Sequence, residues 1–254
     1  MNMTLMKKLQ IKNSALICLS VLSCLVAWEL FVKYRDISSI VLVPPSLILP
    51  AIRDNIHLLL KELTFTLEEA VYGWFIGNLM GILLAIGVYS IRHLSRLVID
   101  LGVIINAIPL IALAAIIGGF IGTDQNAKVL IVAVLCFFPM LLVSTSTFAS
   151  VNGDYRRLFS TYNAGRTNNF FKLIFPSSLP AILTVLKINV INAMSTAIVS
   201  EFFGAHGGIG QFILARKGFY DLPLVWAAIF LIIIVGSLFY CLISCFRKTL
   251  IKWG

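Results

Sequence analysis

Apolar positions dominate six stretches of the chain, near residues 14–33, 66–90, 100–121, 127–149, 180–203 and 224–246. Each has the roughly 20 mostly apolar residues that an α-helix needs to cross a bilayer. Between the first two lies Val43-Pro44-Pro45-Ser46, followed to about Leu60 by apolar residues at helical spacing, interrupted by Arg53, Asp54 and His57. That pattern predicts a short helix at the membrane surface. Pro109 and Pro139 fall in mid-helix on this reading, where each removes a backbone hydrogen bond and bends its segment. The predicted fold class is all-α integral membrane, with about six transmembrane helices. Residues 1–254 read as a single transmembrane domain, with no visible internal repeat.

Composition sharpens the class. Of 254 residues, 59% are hydrophobic and only 12% charged, and mean hydropathy is +0.98. Soluble domains carry about 25% charged residues, and disordered chains are poor in apolar ones, so both classes are excluded. The net charge of +9 comes from small Lys/Arg clusters between apolar runs, without the basic stripe that nucleic acid requires. No nucleic-acid partner is expected; the solvent partner is the lipid bilayer. The run from Ser14 to Val32 is long for a signal-peptide core and no small-residue cleavage pattern follows it, which predicts a retained first helix.

Orientation follows from the Lys/Arg bias between spans. With a cytoplasmic N-terminus, twelve Lys/Arg fall inside and seven outside, Lys128 among the seven, with Lys187 inside the fifth helix. Only Asp100 and Asp154 among the acids fall inside, and every acid reads as lying toward a helix end. Both termini are therefore expected in the cytoplasm. Cys18, Cys24, Cys136, Cys241 and Cys245 all lie in apolar runs, where free Cys behaves as a small hydrophobe. No metal site is expected, because no Cys or His has ligand spacing.

Two polar or small-residue stripes stand out. Gly73, Gly77 and Gly81, with Ala85 next, give one smooth face on the second helix, suited to close helix approach within the chain or to a dimer contact. Asn189, Asn192, Thr196 and Ser200 share one face of the fifth helix. Polar groups at membrane depth line a cavity or bond to neighbouring helices, and both readings stand; Asn78 and Asn106 are further pathway candidates. Lys187 points away from this stripe and is expected to snorkel toward headgroups. Glu201 is expected to cap or pair locally.

Residues 151–180 read VNGDYRRLFSTYNAGRTNNFFKLIFPSSLP. Tyr155, Leu158, Phe159 and Tyr162 recur at i, i+3, i+4 and i+7, one apolar face of a short helix. Asn163, Ala164 and Gly165 supply a break, a second helical turn is expected around Asn169 to Ile174, and Pro176 and Pro180 mark the entry to the fifth helix. The apolar face must bury against the bilayer or in a groove on a cytoplasmic partner.

Here the chain resembles the inner-membrane permease subunits of binding-protein-dependent ABC importers, in the branch for nitrate, sulfonates, taurine and related solutes. Phe175-Pro176-Ser177-Ser178-Leu179-Pro180 resembles the end of that family's coupling loop, and Val151-Asn152-Gly153-Asp154 its lead-in. Trp28-Glu29-Leu30, Pro44 to Ser46, Pro109 with Gly122-Thr123, Phe137-Phe138-Pro139, Glu201 to Ala205 with Gly208-Ile209-Gly210, and Trp253 resemble further family positions in order. Arg157 stands where the loop's acidic residue is usual, Leu158 and Phe159 replace two alanines, Asn163 replaces a glycine, and Ala115 replaces a second helix-three proline.

The resemblance implies a multi-pass subunit of the bacterial cytoplasmic (inner) membrane. Its cargo would be a small organic or inorganic solute of the sulfonate, nitrate, taurine or vitamin-precursor class. Its implied partners are an ABC ATPase subunit, a second permease subunit (a homodimer is expected) and an extracytoplasmic solute-binding protein. The implied coupling loop comprises Asp154, Tyr155, Arg157, Leu158, Phe159, Tyr162, Asn163, Ala164, Gly165, Arg166, Pro176, Leu179 and Pro180. No G-x-x-x-x-G-K-[ST] phosphate loop occurs in the chain, so it is expected not to be an enzyme and to bind no cofactor itself, ATP and Mg being used by the partner. The alternative is an ion-coupled secondary carrier, for which buried mid-helix acids and inverted repeats are the usual marks.

Overall fold

The computed structural model describes residues 3–89, 91–151, 153–162, 165–204 and 207–250, and no strand occurs among them. In chain order the helices are α1 (Met3–Tyr34), α2 (Pro45–Asp54), α3 (Ile56–Tyr89), α4 (Arg92–Asn106), α5 (Leu110–Ile121), α6 (Gln125–Ser150) and α7 (Gly153–Thr161). Then α8 (Arg166–Asn169) passes through a π-helical turn, Phe170–Ile174, into α9 (Phe175–Glu201), followed by α10 (Ile209–Gly218) and α11 (Leu222–Leu250). Among the described residues four helical runs are long and apolar enough to cross a membrane: Ile56–Tyr89, Gln125–Ser150, Arg166–Glu201 and Leu222–Cys245. The expected first span, 14–33, lies within α1.

Three boundaries differ from the sequence expectation. The span expected over 100–121 is two helices, because Pro109 is extended (φ −58, ψ 131) and precedes α5 instead of bending one continuous helix. A proline lacks the N–H that a helix interior uses, so the chain breaks where no partner holds it straight. Pro139, by contrast, stays inside α6. The surface helix expected to run to Leu60 ends at Asp54, where Asn55 (φ −120, ψ 20) interrupts it, and α3 starts at Ile56. Pro45 opens α2 at the first helical position, where a missing N–H costs nothing. The fifth span starts well before Pro180, which lies inside α9, while Pro176 occupies its first turn.

The chain forms two compact units, residues 3–59 with 213–231, and residues 60–212 with 232–250. In the first, α1 meets α2: the Glu29 carboxylate accepts the Ser46 N–H at 3.0 Å and pairs with Lys33 at 2.7 Å. Trp28 packs on Trp226, ring centroids 4.8 Å apart, and on Phe230.

In the second unit α6 packs on α9, with α3, α4 and α5 against this pair. The glycine stripe of α3 faces α6. A Cβ on Gly73 would overlap Val132, one on Gly77 the Ala133 carbonyl, and one on Gly81 would lie 2.9 Å from the Phe137 carbonyl. The two backbones are thus closer than any side chain allows, the small-residue mode of membrane helix packing. Lys187, on α9, sits over the Tyr240 ring at 5.5 Å.

Outward, large apolar side chains are exposed along whole helices: Phe75, Leu79 and Leu83 on α3, Ile188 and Ile191 on α9, Ile234, Leu238 and Leu242 on α11. Soluble monomers rarely expose such continuous patches; hydrocarbon solvates them.

Gly77→Val is expected to lower stability by about 1–3 kcal/mol, the cost of overpacking a filled contact. Gly87, with open space where its Cβ would stand, is the control: Gly87→Ala is expected to be neutral or stabilising by up to about 1 kcal/mol. Thermal unfolding in detergent, followed by tryptophan fluorescence, checks both.

Candidate functional site

The segment 151–180 divides into an anchored half and an exposed half. In the exposed half, Asp154 lies in the first turn of α7, where a carboxylate complements the helix dipole. Tyr155, Leu158 and Tyr162 are 58%, 51% and 78% exposed, with Phe159 half-buried and Arg157 exposed beside them. Asn163 and Ala164 lie outside the described residues. In the anchored half, Gly165 precedes α8 and the exposed Arg166 opens it. Phe170 then packs against Tyr89, Phe148 and Phe175, and Ile174 is fully buried. Leu179 and Pro180 are half-buried, and the Thr184 hydroxyl donates to the Pro180 carbonyl at 2.8 Å. The loop is therefore held firmly at its return into α9, while the apolar face of α7 stays uncovered.

The stripe on α9 lies inside the bundle. Asn189, fully buried, donates through Nδ2 to Asn78 Oδ1 at 2.7 Å and to the Cys136 carbonyl at 2.9 Å, joining α9 to α3 and α6. The half-buried Asn192 donates to Asn189 Oδ1 at 3.3 Å. Thr196 and Ser200 are buried, the Ser200 hydroxyl donating to the Ala197 carbonyl at 2.7 Å. Trp74 Nε1 donates to the Leu186 carbonyl at 2.9 Å. These bonds satisfy the buried polar groups of Asn78, Asn189 and Ser200, which would otherwise be costly to bury. The side chain of Asn106 is outside the described residues.

A second polar cluster closes the other end of α9. The buried Glu201 accepts from the Thr66 hydroxyl at 2.6 Å through Oε1 and from the Gly210 N–H through Oε2. Thr66 in turn accepts the Ile209 N–H at 2.9 Å, and Glu62 accepts the Gly208 N–H at 2.8 Å. Gly208 has φ +110, and a Cβ there would overlap the Glu201 carboxyl group; only glycine meets both conditions. The Gly208-Ile209-Gly210 sequence is thus the binding partner of Glu201.

Two sequence expectations are corrected here. Lys128, counted as an outer-loop charge, is 3% exposed in α6 and pairs with Glu69 at 3.6 Å. Glu69, read as lying near a helix end, is buried well inside α3 because that helix starts ten residues before the expected 66. Glu62, Thr66 and Glu69 share one face at i, i+4 and i+7, a spacing that marked them as a unit once α3 was drawn from Ile56. Among the described residues no three His, Cys, Asp or Glu side chains converge as metal ligands.

Comparison with known proteins adds a family, three relatives and a solved structure. Residues 77–252 match the family described as binding-protein-dependent transport system inner membrane component. The formylaminopyrimidine transport permease protein ThiX of Halalkalibacterium halodurans is 31% identical over 232 residues, covering 91% of this chain and 93% of that protein. A putative aliphatic sulfonates transport permease protein, SsuC of Bacillus subtilis, is 24% identical, covering 89% and 83%. The riboflavin transport system permease protein RibX of Chloroflexus aurantiacus is 23% identical, covering 90% and 86%. Among solved structures, an inward-facing MetNI methionine ABC transporter chain superposes with a TM-score of 0.66 at 17% identity, covering 78% of this chain and 98% of that one, a likeness of fold.

Gly208→Ala is expected to destabilise by about 2 kcal/mol or more, through backbone strain plus displacement of a buried carboxylate. Asn189→Leu is expected to cost about 1 kcal/mol, since it strips Asn78 and the Cys136 carbonyl of a shared donor. Thermal unfolding in lipid nanodiscs reads both losses.

Proposed function

Because the chain belongs to the family of binding-protein-dependent transport system inner membrane components, the membrane permease subunits of ABC importers, we propose that α7 is its coupling helix. Its apolar face, Tyr155, Leu158 and Tyr162, enters a groove on a separate ATPase subunit, and this exposed face between two spans carries the reading. The anchored return through Phe170 and Ile174 passes movement of α7 into α9 without loss in a soft loop. Closure of an ATPase pair on ATP would then tilt α6 and α9 of two permease copies and open the pathway toward a solute-loaded binding protein. ATP and Mg act in the ATPase, and the subunit sits in the bacterial cytoplasmic membrane. The whole chain, residues 1–254, works as one permease domain. Arg157 reverses the charge usual at its position, so the matching ATPase groove is acidic there.

The cargo we propose is a small neutral heteroaromatic solute of the vitamin-precursor class. Support comes from the relative at 31% identity, whose name gives formylaminopyrimidine, against 23–24% for those named for sulfonates and riboflavin. It comes also from α9, whose polar face offers amides and hydroxyls, while its lysine, Lys187, is turned onto Tyr240. Asn192, half-buried at the edge of that face, is the pathway contact we assign.

Tagged protein isolated gently from native membranes is expected to bring a stoichiometric ATPase subunit, identified by mass spectrometry. Leu158→Asp should remove the ATPase and leave thermal unfolding unchanged, since surface substitutions stay within about 0.5 kcal/mol. Arg157→Glu should weaken the association. Isolation without an ATPase even after cross-linking would overturn the coupling role. For the cargo, uptake of labelled formylaminopyrimidine into cells is the measure, with excess sulfonate as competitor; competition by sulfonate would reject the neutral class.

A further inference from the structure

The ion pair that joins α3 to α6 is loose for its burial. Glu69 is 1% and Lys128 3% exposed, yet Lys128 Nζ stands 3.6 Å from Glu69 Oε1. That exceeds the usual length of a hydrogen bond, and polar contacts of such length call for a bridging water. The second carboxyl oxygen, Glu69 Oε2, is buried and has no hydrogen-bond partner among the described residues, a costly condition for a polar atom. The donors around it are committed elsewhere. The Thr66 hydroxyl and the Gly210 N–H go to Glu201, the Gly208 N–H to Glu62 and the Ile209 N–H to Thr66. Gln125 Nε2 donates to Glu68 at 2.7 Å.

Glu69 and Lys128 both line a cavity of about 80 Å³, together with Phe65, Gln125 and Gly207. Gln125 is exposed and links the cavity to the surface. Size and charge together select the occupant. Sites for small organic molecules begin near about 300 Å³, so a solute does not fit. A metal cation would stand against the Lys128 ammonium and an anion against the Glu69 carboxylate. Among the described residues no three His, Cys, Asp or Glu side chains converge on a common point. The cavity therefore suits a neutral molecule that both donates and accepts. At about 30 Å³ for each water, roughly two or three water molecules fill it.

We propose that this cavity is an internal hydration site, in which a small cluster of ordered water completes the Glu69–Lys128 pair. One water hydrogen-bonds Glu69 Oε2. The Lys128 ammonium has three donors and accepts nothing, so it donates into the same cluster. The cluster supplies the hydrogen bonds that the two groups give up on leaving bulk solvent. It also joins α3 to α6 through a bridge, which accommodates a change in helix spacing that a direct ion pair would resist.

The test exposes the full-length protein in nanodiscs to synchrotron X-rays with bulk radicals scavenged, so that hydroxyl radicals arise from bound water and oxidise the side chains beside it. Mass spectrometry is expected to find oxidised Phe65, while Phe148, fully buried in the apolar core, stays unmodified. Glu69→Leu combined with Lys128→Met puts apolar groups of similar size in place of the pair and should abolish the Phe65 signal. Misfolding would instead add label at Phe148, so loss at Phe65 alone reports the water; if the variant misfolds, the wild-type readings decide. A crystal structure fine enough to show ordered water should place density within about 3 Å of Glu69 Oε2 and of Lys128 Nζ. The proposal is overturned if wild-type Phe65 is as inert as Phe148, or if the folded double variant keeps the full signal. It is overturned equally if the crystal structure shows a protein group bonded directly to Glu69 Oε2, a result that needs no variant.

Discussion

The approach of α3 to α6 along Gly73, Gly77 and Gly81 is the close packing on which the polar contacts joining α3, α6 and α9 depend. With the two backbones this close, Asn78 on α3 and the Cys136 carbonyl on α6 both come within reach of a single amide, that of Asn189 on α9. The same approach brings Glu69 of α3 to Lys128 of α6. Packing in a membrane has no hydrophobic driving force between helices, so shape and hydrogen bonds must supply specificity. Here the glycines give the shape, and the buried Asn189 amide and Glu201 carboxylate meet their partners on the neighbouring helices within it.

The polar groups of α9 are consequently divided by depth. Asn189, Thr196 and Ser200 serve the bundle interior, while Asn192 stands at its margin. Two polar networks, around Asn189 and around Glu201, fix α9 along its length to α3. A helix held at two such points moves as a rod. That rigidity suits the proposed transmission from α7, because a displacement at the 166–174 turn reaches Glu201 without being absorbed between them.

The membrane class, the six apolar stretches, the amphipathic character of 155–162 and the family resemblance were all legible in the sequence, because each rests on local periodicity or on residues near one another in the chain. The glycine stripe was legible as a packing face, though not its partner. Helix boundaries next to prolines were less so: whether Pro109 bends a helix or separates two, and whether Pro180 begins one or lies inside it, depends on which neighbouring segments satisfy the freed carbonyls. Only the tertiary structure could decide that. It also decided the fate of the charges. Lys128, Glu69 and Glu201 are far apart in sequence, and each alone reads as an end-of-span residue at the water boundary. Their burial together follows from an early start to α3 and from helix contacts across more than a hundred residues. Local sequence sets which segments are helical and apolar, but the pairing of buried charges is a long-range contact, and no local pattern encodes it.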